Sequence, residues 1–159
     1  MIYVAVGTQK FPFNRLLSMV DKMIADGMID EEVFAQIGHS DYLPKYYKFK
    51  KFLSKDEFDN YVKRCDLLIT HSGVATIIAG LKHNKPVIVV PRLAKYGEHV
   101  DDHQVQIAES FSEQNLIMMC DENCNLEKMV NQAKEHSFSK YESQRELIVK
   151  TIRDYLATI

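Results

Sequence analysis

The segment DLLITHSGVATIIAGLKHNKPVIVVP, Asp66 to Pro91, constrains this chain more than any other. It sets two short apolar runs, DLLIT and VIVV, on either side of a stretch in which Ile77, Ile78 and Leu81 recur at helical spacing. Unbroken apolar runs of this kind belong to strands buried on both faces, as in a parallel sheet covered by helices. The first run ends at His71-Ser72-Gly73, so polar groups capable of chemistry stand where a strand hands over to a helix.

The rest of the chain repeats the alternation. IYVAVG (Ile2 to Gly7) is a β-branched run closed by glycine and reads as a first strand. Leu16, Leu17, Val20, Met23 and Ile24 form a helical stripe that ends near Gly27, and EVFAQIG (Glu32 to Gly38) is a second strand. YLPKYYKFKKF (Tyr42 to Phe52) alternates lysines with aromatics and reads as an exposed strand with snorkelling lysines, or as a partner or membrane-surface contact. Ser54 and Glu57 spell an S-x-x-E capping box, with Phe58 and Val62 facing inward from the helix it starts. The central unit has its helix across Thr76 to Lys82. Beyond it, Asp101 to Asn115 reads as a helix, LIMMCD (Leu116 to Asp121) as a last strand, and Glu127 to His136 and Lys140 to Leu156 as closing helices. Tyr155, Leu156 and Ile159 make a stripe that reads as packing back on the sheet, or as a second apolar patch for a partner. The expected fold is one α/β domain, residues 1–159, Rossmann-like, with a parallel sheet and helices on both faces.

Several function classes fall away. A formal charge of -2 gives no global attraction to a polyanion, so nucleic acid is not expected as a partner. No apolar run approaches the roughly 18 to 20 residues that cross a bilayer, and IYVAVG after Met1 lacks the basic flank and cleavage site of a signal peptide. The chain is expected in the cytoplasm. Cys65, Cys120 and Cys124 are an odd count at spacings unlike a disulfide framework, and are expected as free thiols.

In an open parallel sheet, ligands bind outside the carboxyl ends of the strands. The residues expected there to bind substrate are Gly7 and Thr8, Gln36 and Gly38, His71, Ser72 and Gly73, and Arg92, which opens the segment to Gln104 beyond the strand that ends at Pro91. Gly73 is expected to let the backbone turn tightly into a helix whose first N–H groups suit a phosphate. His71 has a competing reading as a residue that merely hydrogen-bonds at a strand end, and Ser72 one as a helix cap only. The nucleophile elbow G-x-S-x-G is broken at Thr70 and Val74, and neither G-x-G-x-x-G nor G-x-x-x-x-G-K-[ST] occurs. His99 and His103 have the spacing of metal-binding histidines, but Val100 stands where H-E-x-x-H needs glutamate, and there is no D-x-D. No metal and no cofactor are expected.

DLLITHSGVATIIAGLKHNKPVIVVPR followed by EHVDDHQVQIA resembles the donor-binding half of the MurG-like glycosyltransferases of the GT-B fold. VAVGTQKFPFNRLL and AQIGHSDYLP resemble the short single-domain branch of that family, which serves capsule and exopolysaccharide synthesis and dolichol-linked oligosaccharide assembly. The resemblance implies that Ser72, Gly73, Val74, Ala75 and Thr76 meet the diphosphate of a UDP-sugar and that His103 and Gln104 contact sugar or phosphate. It also implies that Gly7, Thr8 and Gly38 shape the cleft floor. Ala79 stands where many relatives carry a ribose-binding glutamate. His99 and Glu98 are the candidate bases for the acceptor hydroxyl, although full-length relatives supply the base from the acceptor half.

These expectations describe an inverting, metal-independent glycosyltransferase subunit. It would act on a lipid-linked saccharide acceptor with a membrane-attached partner subunit that recruits it to the inner face of the plasma membrane. A non-catalytic nucleotide-sugar-binding or regulatory subunit and a nucleotide-sugar epimerase or hydrolase remain open alternatives.

Overall fold

The computed structural model describes residues 1–141 and 145–158. Its six strands are β1 (Ile2–Ala5), β2 (Val33–Gln36), β3 (Lys48–Lys50), β4 (Leu67–Thr70), β5 (Val87–Val89) and β6 (Met118–Met119). They form one sheet in the order β3-β2-β1-β4-β5-β6, with every pairing parallel. The helices are α1 (Asn14–Ala25), α2 (Lys55–Arg64), α3 (Val74–Lys82), α4 (His103–Glu113), α5 (Leu126–Glu135) and α6 (Arg145–Ala157), with a 3₁₀ turn at Ala94–Tyr96.

The sheet is apolar on both sides because its strands point successive side chains to opposite faces. Ile2, Val4, Leu67, Ile69 and Ile88 pack with Leu16, Leu17 and Val20 of α1 and Val130 of α5. Tyr3, Leu68, Val87 and Val89 pack on the opposite face with Val62 of α2, Ile77 and Leu81 of α3 and Phe111 of α4. The expected Rossmann-like α/β fold is therefore present.

The order has a mechanical consequence. From β1 the chain moves outward to β2 and β3, then returns to lay β4 against the other side of β1. The helices leaving β1 and β4 diverge there, opening a crevice at the carboxyl ends of those two strands.

Several boundaries differ from expectation. α3 begins at Val74 rather than Thr76, α4 at His103 rather than Asp101, and the last strand shrinks to Met118–Met119, a half-buried edge. The lysine-aromatic segment yields only three strand residues. Before them it is clamped to α1: the buried Asp21 carboxylate accepts from the Tyr42 hydroxyl and from the N–H groups of Lys45 and Tyr46 at 2.6 to 2.9 Å. The expected final helix includes residues 142–144, which lie outside the described residues, as does Ile159 of the C-terminal stripe; Tyr155 packs on the core as expected, whereas Leu156 is exposed and does not.

The cysteine expectation needs correction. Cys120 and Cys124 are joined as a disulfide, and only Cys65, buried at the end of α2, is free. The turn after β6, in which Cys124 N–H donates to Asp121 O, brings the two Cα atoms to 5.3 Å, within bridging reach. Spacing along the sequence does not show such a turn.

Candidate functional site

The crevice at the switch point holds a cavity of about 410 Å³. Gly7 and Thr8 line it from the end of β1, His71 and Gly73 from the end of β4, and Val74, Ala75 and Thr76 from the first turn of α3. Leu53, Ser54, Lys55 and Phe58 line it from the start of α2, and Gln36 from the end of β2. No carboxylate is among its lining residues within the described part of the chain, whereas Lys55 is.

Two helices begin at this cavity and differ in one decisive way. Ser54 and Glu57 close the N-terminus of α2 with a full capping box, as the sequence indicated. The N-terminus of α3 is open. Gly73 is its N-cap, no side chain caps it, and its first helical bond runs from Ile77 N–H to Gly73 O at 3.0 Å. The amides of Val74, Ala75 and Thr76 thus precede the ladder and stay available to a ligand. Ser72 is not the cap, contrary to its cap-only reading. Its hydroxyl is buried and has no hydrogen-bond partner among the described residues.

Gly73 is needed for space rather than for turning. Its φ of -75° suits any residue, but a Cβ there would sit 2.5 Å from His71 Nε2. Gly7, at φ +80°, is constrained twice, since its Cβ would lie 2.4 Å from the same nitrogen. The imidazole edge is therefore held between two glycines. Gly38 lies beneath, where a Cβ would meet the Gly7 carbonyl oxygen at 2.5 Å. Gln36 locks this floor, accepting from Gly7 N–H and donating to the carbonyl oxygens of Gly7 and Lys51.

Behind His71 stands Gln104, 3% exposed. Its Oε1 accepts from the N–H groups of Ser72 (3.3 Å) and Arg92 (3.1 Å), and its Nε2 meets His71 Nδ1 at 3.3 Å. Burial, reinforced by the nearby Arg92 charge, pushes the His71 imidazole down to about 3, so it is neutral at physiological pH.

Arg92, expected to touch substrate, is fully buried and bonds instead to backbone carbonyls. Nη1 donates to Phe11 O and Glu98 O, Nη2 to Val6 O, and the guanidinium lies 4.9 Å from the Phe13 ring centroid. Burial lowers its pKa to about 10, which leaves it charged. It ties the loop after β1 to the loop after β5. Glu98, a candidate base, is equally committed: its carboxylate takes a two-pronged ion pair from Arg15 at 3.0 Å and the Leu93 N–H at 2.9 Å.

His99 is better disposed. Its Nδ1 lies 3.1 Å from Asp101 Oδ1, and its ring rests against Phe11. Burial acts to raise the Asp101 carboxyl, but the His103 N–H and the two imidazoles outweigh it and hold the group below the usual carboxylate range. His103 packs against Tyr155 at the start of α4.

The structure thus gathers Gly7, Thr8, Gln36, His71, Gly73, Val74, Ala75 and Thr76 around one cavity. Arg92 and Gln104 stand behind it, and Glu98, His99 and His103 lie off its lining. Sequence reasoning missed Leu53, Lys55 and Phe58 as lining residues. The capping box was the available signal, because in a parallel sheet each helix starts at the carboxyl edge.

The whole chain, residues 1–159, matches the model for the glycosyltransferase family 28 C-terminal domain. A Candida albicans protein named UDP-N-acetylglucosamine transferase subunit ALG13 is 34% identical over 64 residues, 40% of this chain and 20% of that protein's length. An NMR structure of ALG13 shares the fold at TM-score 0.61 with 20% identity, covering 96% of each chain. The crystal structure of Acinetobacter baumannii MurG gives TM-score 0.55 at 15% identity, covering 92% of this chain and 48% of MurG. The chain thus spans a fifth of the first curated relative and about half of MurG.

Proposed function

Because the chain belongs to the glycosyltransferase family 28 C-terminal domain family, we propose that it is the donor-binding, catalytic subunit of an inverting, metal-independent glycosyltransferase. It moves a sugar from a UDP-sugar to a lipid-linked acceptor in capsule or exopolysaccharide synthesis. One observation carries this reading: the uncapped start of α3 opens onto a cavity at the topological switch point whose described lining holds no carboxylate. The acceptor oxygen attacks the anomeric carbon as the bond from that carbon to the diphosphate oxygen breaks. Negative charge grows on the departing UDP. The fixed amides of Val74, Ala75 and Thr76, with His71 Nε2 beside them, stabilise that charge without rearranging.

Leu53 and Phe58 offer apolar surface for the base, and Thr8 and Thr76 offer hydroxyls to the donor. The family resemblance gives His103 and Gln104 the sugar contact; Gln104 is committed behind His71, and His103, off the cavity lining with its Nδ1 3.2 Å from Gln106 Oε1, reaches a sugar only by leaving that contact. With Glu98 held by Arg15, His99 is the base this chain contributes, oriented by Asp101. The competing source of a base is the partner's acceptor half. No described helix is long and apolar enough to cross a membrane, so the proposed membrane-face location depends on that partner. The word subunit in the Candida relative's name supports a partner. The docking surface proposed for it comprises Leu43, Tyr46 and Phe52, 56%, 59% and 47% exposed, set among Lys45, Lys48 and Lys51.

The engagement of Glu98 favours a second reading, a nucleotide-sugar-binding subunit without chemistry of its own. Thermal shift with UDP and UDP-N-acetylglucosamine tests the pocket, and sugar transfer after co-expression with candidate membrane partners tests catalysis. Nucleotide binding that survives Gly73→Val overturns the pocket assignment. Binding without transfer in every pairing selects the second reading. Leu43→Asp with Tyr46→Asp should abolish partner capture and leave nucleotide binding intact.

A further inference from the structure

We propose that Gln104 is a positioning residue that fixes His71 in one tautomer, neutral with the proton on Nε2, so that a permanent N–H donor faces the diphosphate cradle. The inference rests on the nucleotide-sugar reading of the cavity and specifies how its central side chain works.

Ser72 N–H and Arg92 N–H converge on one atom of the Gln104 amide, and two donors require that atom to be the oxygen. The other end, facing His71 Nδ1 at 3.3 Å, is then the NH₂ group, which donates. Nδ1 must accept and carries no proton. In a neutral ring the proton therefore sits on Nε2, the nitrogen held between Gly7 and Gly73 at the cavity wall.

A doubly protonated ring is disfavoured by the same amide, whose NH₂ would face an N–H. The surrounding charges agree. Arg92 and His99 both oppose a positive charge on His71, and the nearby carboxylates are engaged elsewhere, Glu98 by Arg15 and Asp101 by His99 and the His103 N–H. A buried, unprotonated imidazole that still donates avoids the desolvation cost of a cation while presenting a hydrogen to an anion. Because Gln104 reaches from α4 to the ends of β4 and β5, the lock also couples His71 to the placement of α4.

The test is ¹⁵N NMR of the full chain labelled at histidine, with and without UDP-N-acetylglucosamine, whose diphosphate diester keeps one charge state from about pH 5 to pH 8, where a free histidine titrates. His71 should show an unprotonated Nδ1 and a protonated Nε2 throughout, and the Nε2–H resonance should move when the nucleotide sugar binds. Gln104→Glu replaces the NH₂ donor with an acceptor and draws the proton to Nδ1. Its affinity should then become pH-dependent, falling about tenfold as pH rises through the raised imidazole pKa, the loss expected for about one hydrogen bond. Gln104→Met, which neither donates nor accepts there, should leave the ring in mixed tautomers. A wild-type ring protonated on Nδ1, or titrating inside that pH range, overturns the lock whatever binds. An unmoved Nε2–H in a saturated complex also overturns it. A protein in which UDP-N-acetylglucosamine moves no resonance overturns the nucleotide-sugar reading instead.

Discussion

His71 Nε2 lies 2.5 Å from where a Cβ on Gly73 would stand, so the imidazole fills the side-chain space of the residue that starts α3. Strand end and helix start are thereby interlocked. A larger residue at 73 must displace either the ring or the first turn of the helix.

Gly73→Val should therefore fold but lose the cavity. Overpacking of this kind costs about 1 to 3 kcal/mol, read as a lower melting temperature. The stabilisation that UDP gives the wild type by binding only the folded state should vanish. An equal UDP shift in wild type and variant would show that the nucleotide does not sit at α3.

Glu98 and His99 separate by substitution. Glu98→Ala strands the partly buried Arg15 and should cost about 2 kcal/mol in denaturant unfolding. Glu98→Gln, which keeps one oxygen to accept from Arg15 Nη2 and Leu93 N–H and loses the acceptor for Arg15 Nε, should retain transfer with the partner present, because an amide cannot serve as base and none is needed there. His99→Ala should lower kcat with little change in donor binding. Transfer lost in Glu98→Gln and kept in His99→Ala would reverse the roles.

Acid should destabilise the wild type through His71. Its folded pKa of about 3 lies below the unfolded value near 6.5, so the unfolded chain binds more protons and stability falls as pH drops through that window. The slope is at most ~1.4 kcal/mol per pH unit. Urea melts at several pH values should show it in the wild type and a shallower slope in His71→Gln. Identical slopes would mean that the ring titrates normally.

Tyr3 carries a buried hydroxyl with no partner among the described residues, and burial raises its pKa far above the usual tyrosine value. Tyr3→Phe keeps the ring stacked against Tyr61 and removes only the unsatisfied group. Stability should hold or rise by up to ~1 kcal/mol. A clear loss in chemical denaturation would reveal a partner for that hydroxyl.

The periodicity of the chain was enough for the layered α/β architecture, because burial on both faces writes itself as unbroken apolar runs such as VIVV and amphipathic stripes such as Leu16 to Ile24. It was enough for the α2 capping box, which is a local contact, and for the three loops that converge on the cavity, since helices leaving a parallel sheet all start at its carboxyl edge. Roles that depend on distant partners were not legible. Arg92 and Glu98 look like site residues in sequence, yet their charges are spent on Val6, Phe11 and Arg15, neighbours that only the return of the chain across β1 supplies. The requirement for glycine at 73 read as a turn and is a matter of volume, set by the ring of His71. The bridging of Cys120 to Cys124 and the burial of Gln104 behind His71 belong to the same class. Residue types and their spacing determined which elements form and which edge of the sheet carries the chemistry. Tertiary packing decided which polar side chains remain free to act there, because a hydrogen-bonding group is available to a ligand only if the fold has not already satisfied it.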